Sequence, residues 1–236
     1  MDDTANLSLP LLQPAQAQKH VTVNEALTRL DGLTQLCLAS VDQTVPSVAP
    51  AEGIAYGVPV GAVNEWAGQG GHVAVFVGGG WVFVPARRGW RALVLDLGEP
   101  AIFDGAEWRR GAVTLSPGGA ALALRCSELE VTLGAGSSVT TSVAFPGRSI
   151  AIGVTGRVTE TITGTATSWT LGVAGDAARY GAGLGLSRNS WVNGPGSPLV
   201  YWSGTSLEIT AEGGEFEGGA VRLVAHYAEL SLPDPV

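Results

Sequence analysis

The spacing of apolar residues changes character twice along the 236 residues of this chain. From Pro14 to about Ser40 the period is helical. Val23, Ala26, Leu27, Leu30, Leu33 and Cys37 recur at three- and four-residue steps, opposite Asn24, Glu25, Thr28, Arg29 and Asp31. Pro14 suits a first helical turn, where a missing N–H does no harm. Gly32 weakens such a helix by ~1 kcal/mol relative to Ala, so a packing partner should compensate. The apolar face either lies on its own domain or meets other copies in an oligomer; two heptads do not define a coiled coil. Residues 1–13 read as an extended lead-in.

After a Pro-punctuated linker over 41–53 the period becomes two, and a repeat appears. His72–Trp81 (HVAVFVGGGW) is echoed by Glu99–Trp108 (EPAIFDGAEW). Each copy runs apolar strand, Phe, Gly-containing turn, Trp, which is the pattern of a β-hairpin. Trp90–Leu95 supplies another short strand between them. Trp66, Trp81, Trp90 and Trp108 are expected to form most of this module's core. The alternative is a sugar-binding surface, since small Trp-rich β modules often bind sugars.

Beyond a second boundary at 111–119, strand-like runs follow one another with Gly-rich turns and no helical stretch: 121–126, 129–133, 138–145, 149–155, 157–163, 167–173, 198–203, 206–211 and 220–230. Ile150, Ile152 and Val154 are read onto one face, as are Leu207, Ile209 and Ala211. Val221, Leu223, Ala225 and Tyr227 share a face in the last run. The expected fold is mainly β, with an N-terminal helix, a small Trp-rich antiparallel module and a C-terminal antiparallel β-sandwich of jelly-roll type. The domain limits read as 1–45, 46–112 and 113–236.

Residues 174–197 break this rhythm. They are dense in Gly, Asn and Ser and read as an irregular surface segment. A sugar presents C–H faces that pack on flat rings and hydroxyls that need polar partners. Trp191, flanked by Asn189 and Asn193 with Arg188 nearby, fits that need; Tyr180 lies in the same segment. Tyr201 and Trp202 are adjacent in a strand and must face opposite ways, so Trp202 is a further candidate and Tyr201 goes inward. Trp169 shares a face with Leu171 and Val173 and is assigned to the core.

Charge and chemistry narrow the classes. Thirteen Lys and Arg against twenty-one Asp and Glu give a net charge of −8. Such a chain is poorly suited to nucleic acid backbones or anionic membranes, so neither nucleic acid nor membrane insertion is expected. Cys37 and Cys126 fit no metal or redox spacing and are expected as buried free thiols. His20, His72 and His226 are dispersed outside any metal-binding motif, and His226 reads as a sheet-face residue. No G-x-S-x-G elbow is present. Glycines 181, 183 and 185 lack the full dinucleotide spacing. Glu208, Glu212, Glu215 and Glu217 surround a Gly-rich turn. Exposed turn acids, a weak calcium site or a glycosidase pair are the readings they allow, in that order. The chain is therefore expected to be no enzyme, to take no cofactor and to hold no metal. MDDTANLSLP lacks the basic start and apolar run of a signal peptide, so cytoplasmic synthesis is expected.

The run PLLQPAQAQKHVTVNEALTRLDGLTQL, then AEG, WAGQGG, GWR and FDGAEW, resembles a family of uncharacterised proteins encoded beside tail and structural genes in alphaproteobacterial prophages and gene transfer agents. The matching block spans roughly residues 7–110; the C-terminal half looks like the variable head often attached to it. The resemblance implies a tail-fibre or head-spike component that reaches the outside by assembly on a virion-like particle and lysis. It implies an N-terminal part that mounts on other particle proteins, commonly as a homotrimer, and a C-terminal part that meets host capsular or surface polysaccharide. A purely structural connector and a capsule depolymerase are the rival readings. The resemblance supplies no catalytic residues.

Overall fold

The computed structural model describes residues 3–13 and 19–235. The chain forms two compact units, Met1–Ala121 with Leu232–Val236, and Leu122–Ser231. It is mainly β, with one N-terminal helix and several antiparallel sheets.

In the first unit, helix α1 spans Lys19–Leu33. It is shorter than its sequence pattern, and Pro14 lies outside the described residues. Gln35 adopts a left-handed φ of 53°, and the chain then straightens into β1 (Cys37–Leu38), which pairs in parallel with β5 (Arg91–Val94). Cys37 therefore leaves the helical face expected to hold it. Of that face, Leu33 packs on the core and Leu27 is half-buried, whereas Val23, Ala26 and Leu30 are exposed, Leu30 by 56%. Gly32 does meet a packing partner: a β-carbon there would stand 2.8 Å from Val75 Cγ1.

The lead-in is folded rather than extended, because the Asp31 carboxylate gathers it. Thr4 Oγ1 and the Leu7 N–H donate to Oδ1 at 2.7 Å each, and the Asn6 N–H donates to Oδ2 at 3.0 Å. Burial alone would raise the Asp31 pKa. The hydrogen bonds from Thr4, Asn6 and Leu7 outweigh burial and hold it below the usual carboxylate value.

One sheet is ordered β2 (Ala55–Gly57), β3 (His72–Val77), β4 (Gly80–Pro85). The other runs β1, β5, β6 (Glu99–Phe103), β7 (Trp108–Arg110); β8 (Ala112–Leu115) follows in the chain. The repeat read from the sequence is two hairpins closed by the same aromatic pair. Phe76 is registered with Trp81 at 5.1 Å between ring centres, and Phe103 with Trp108 at 5.3 Å. The turns differ. Gly78 and Gly79 both take left-handed φ in a two-residue loop, whereas Asp104 Oδ1 caps the longer loop by accepting from the Ala106 and Glu107 N–H groups. Trp66 and Trp108 are buried, and Trp81 and Trp90 half-buried, against the apolar core.

The second unit contains eight strands: β9 (Ala121–Thr132), β10 (Ser138–Phe145), β11 (Ser149–Gly164), β12 (Ser168–Val173), β13 (Asp176–Leu184), β14 (Trp191–Tyr201), β15 (Thr205–Glu212) and β16 (Phe216–Leu230). The first pairs with the last, and so on inward: β9 with β16, β10 with β15, β11 with β14, β12 with β13. One long antiparallel ribbon is thus rolled up, and further pairing of β11 with β16 and β12 with β15 closes two sheets. Their orders are β14-β11-β16-β9 and β10-β15-β12-β13, the arrangement of a jelly roll. Between them lie Phe145, Val154, Val158, Trp169, Leu171, Tyr180, Leu207, Ile209, Val221, Leu223 and Ala225.

Three expectations need correction here. Residues 174–197 are mostly strand, not irregular surface. Their glycines permit close backbone approach: a β-carbon on Gly194 would fall 2.0 Å from the Tyr180 carbonyl oxygen. Ile150 and Ile152 do not share a face with Val154, because Ile152 is an extra residue on β11 between the pairs Ala151–Tyr227 and Gly153–His226, and this bulge reverses the alternation. Both cysteines are exposed rather than buried, Cys37 on β1 and Cys126 on the outward face of β9.

Candidate functional site

The inward faces of β11, β14 and β16 carry the core, so strict alternation turns Arg157, Thr155, Trp191, Asn193, Arg222 and Val224 outward. Strand register assembles these into rows. Trp191 on β14 opposes Arg157 on β11, which opposes Arg222 on β16, which opposes Glu130 on β9. The next row runs Asn193, Thr155, Val224, Glu128. Trp191, Asn193, Arg157, Thr155, Arg222 and Val224 line an open groove of about 370 Å³ floored by Gly156 and Val192, with Glu130 and Glu128 beyond its edge in the rows.

The polar groups of this groove are only partly satisfied from within the fold. Arg222 Nε bonds Glu130 Oε1 and lies 3.6 Å from Glu128 Oε1. Arg157 turns the other way, one Nη donating to the Asn189 carbonyl at 3.2 Å. Thr155 Oγ1 sits 2.9 Å from His226 Nε2. The Trp191 ring is 66% exposed.

The structure separates the residues proposed from sequence. Trp191 and Asn193 lie together in the groove. Asn189 is exposed at the preceding turn, with a left-handed φ of 73°, and contributes its carbonyl to Arg157. Arg188 is exposed in the same turn, its N–H donating to Thr161 Oγ1 at 3.2 Å. Tyr180 does not belong to a surface site: it is 3% exposed, its ring tilted against Phe145 at 6.0 Å between centres and its hydroxyl 3.2 Å from that of Tyr201. Burial, reinforced by the Tyr201 hydroxyl, raises its pKa well above the usual tyrosine value. Trp202 is 79% exposed but follows the far end of β14. Tyr201 packs on the core, as expected of its neighbour in a strand.

Arg157 and Arg222 were missed. Their outward position was available in principle, since each alternates with core residues, Val158 on one strand and Val221 and Leu223 on the other. Their juxtaposition was not, because it depends on pairing between segments about sixty-five residues apart in the chain.

The acidic turn does not converge. Glu212 Oε2 accepts from Ser168 Oγ at 2.5 Å and from the Gly183 N–H at 3.1 Å, whereas Glu215 and Glu217 are exposed. Among the described residues no three His, Cys, Asp or Glu side chains are grouped so as to hold a metal ion. No helix among the described residues is long and apolar enough to cross a membrane.

A family model described as a protein of unknown function (DUF2793) matches residues 23–109. No curated protein matches. Among solved structures, the chain is similar to one from the Cyanophage Pam1 capsid asymmetric unit. The likeness has 23% identity and a TM-score of 0.34, covering 45% of this chain and 84% of that one.

Proposed function

We propose that this protein is an adhesin of a phage-like particle and that its jelly-roll unit attaches to host cell-surface polysaccharide. The observation that carries the reading is Trp191: a large ring left in solvent on a sheet face, bordered by an amide and two guanidinium groups in one groove. An exposed aromatic plane takes the C–H face of a sugar, and the polar rim takes its hydroxyls. The groove is lined by no carboxylate, which favours adhesion over glycoside cleavage; that chemistry needs two positioned acids.

The particle role is supported by the resemblance of residues 7–110, within which the family model matches residues 23–109. On this reading the first unit mounts on other particle proteins, the protein acts as a homotrimer, and it leaves the cell by lysis after assembly. Exposed Val21, Val23 and Leu30 on α1 favour such contacts. They equally favour the second reading, a connector that never touches a cell. Particles lacking a connector assemble poorly yet adsorb normally, whereas particles lacking an adhesin assemble and fail to adsorb.

The deciding experiment is capsule pull-down and glycan-array binding with the full chain and its Trp191→Ala variant. Binding by the parent that is lost in the variant is the expected result. Failure of the parent to bind any host envelope fraction overturns the adhesin reading.

A further inference from the structure

We infer that the groove beside Trp191 takes an acidic glycan, with Arg157 binding the sugar's carboxylate. This rests on the polysaccharide reading and narrows it to a chemical class.

The groove holds a charge arrangement that the fold alone does not explain. Arg157 and Arg222 are directly registered partners on neighbouring strands, and both point outward. Like charges placed this way repel, their β-carbons standing ~5 Å apart. The repulsion is relieved on one side only. Glu130 and Glu128, from β9, pair with Arg222 and neutralise its charge. Arg157 has no carboxylate partner among the described residues, and the one acceptor recorded for its guanidinium is the neutral carbonyl of Asn189.

That contact also orients it. A guanidinium offers five N–H donors in a planar fork that matches a carboxylate with two parallel bonds. One Nη is tied to the turn before β14, and Arg157 lines the groove together with Trp191. Trp191 and Arg157 are cross-strand partners on one outward face, so a residue that can take a sugar face and a residue that can bind an anion stand side by side on the sheet. Asn193 and Thr155, one row along, border the same groove with an amide and a hydroxyl. A neutral sugar would leave the fork without its natural partner; a carboxylated sugar satisfies ring and fork together. The chain's net charge of −8 makes local neutralisation of an incoming polyanion depend on such placed arginines.

The test uses the full chain against an array of acidic bacterial capsular polysaccharides, each presented native and with its carboxylates reduced to alcohols. Native polymer should bind about tenfold or more tightly than its reduced form, since charged hydrogen bonds are roughly twice as strong as neutral ones. Added salt should weaken only the native interaction. Arg157→Gln should abolish the difference, and Arg157→Lys, which keeps the charge but not the fork, should restore part of it. An unchanged melting temperature in both variants ties the effect to the groove. Equal binding of native and reduced polymer, or an unaltered preference in Arg157→Gln, overturns the acidic-glycan inference while leaving polysaccharide binding in place. Absence of binding to every polymer in both forms overturns the two together.

Discussion

Gly32 of the helix lies so close to Val75 of β3 that a β-carbon on the glycine would meet Val75 Cγ1 at 2.8 Å. Two opposing effects act at this position. Alanine improves helix propensity by ~1 kcal/mol, but overpacking against a buried valine costs about 1–3 kcal/mol. Both methyl groups of Val75 stand within 3.0 Å of that position, on a stiff, buried β-branched side chain that cannot turn both away, so packing wins. Gly32→Ala is expected to lower the melting temperature, as read by thermal denaturation; a rise would show that α1 is not held against β3.

The Asp31 carboxylate ties the N-terminal loop to α1 through Thr4, Asn6 and Leu7. Its folded pKa lies below the unfolded value of ~3.9, so its contribution is present above that pH and lost as pH falls through the folded value. Asp104, lowered by the N–H groups of Glu107 and Ala106 and by Arg109 against the opposing effect of burial, acts in the same direction. Asp31→Asn should flatten the acid limb of the stability profile. Hydrogen exchange at the Asn6 and Leu7 amides should accelerate; unchanged protection there would contradict the latch.

Tyr180 and Tyr201 share a hydroxyl contact inside the jelly roll. Because burial raises the Tyr180 pKa in the folded state, its effect on stability is neutral below ~10 and unfavourable as pH rises beyond it, where the unfolded chain ionises first. Ultraviolet titration should show Tyr180 ionising only as the fold is lost; Tyr56, raised by burial and by Asp96, is also delayed. Tyr180→Phe should remove that alkaline step at a cost of about 1 kcal/mol for the lost hydrogen bond. Four tyrosines titrating together at their ordinary pH would refute it.

The trimer is a separate expectation, placed on α1. Light scattering should give three times the chain mass, and Leu30→Asp, which charges the exposed face, should yield monomer. A parent chain that scatters as monomer removes the trimer without touching the groove.

The two hairpins and most strands were legible because their signals are local: a Phe–turn–Trp repeat, and alternation in runs such as 206–211 and 220–230. The jelly roll was legible as a class, from many short strands without helices. Three features were not. The bulge at Ile152 inverts a face without any change in composition. Gly181 and Gly194 look like loop residues, yet they serve close strand contact. Residues 3–13 gave no sign that a single acid, Asp31, would fold them back. Within the site, Trp191 and Asn193 were found because aromatic and amide residues stand out in a Gly-rich stretch. Tyr180 was misplaced by the same reasoning, and the Arg157–Arg222 pair required strand register that no local pattern carries.

Trp191 and Trp202 are both solvent-exposed aromatics, at the first residue of β14 and just past its last, but only Trp191 borders the groove. Titration calorimetry of the full chain with its bound polysaccharide, compared with Trp191→Ala and Trp202→Ala, separates a specific face from general stickiness. Truncating a central ring costs ~2 kcal/mol or more, about thirtyfold in affinity. The expected result is that loss for Trp191→Ala alone, with Trp202→Ala binding as the parent does. Equal losses in both, or none at Trp191, would contradict the assignment of this groove as the binding face.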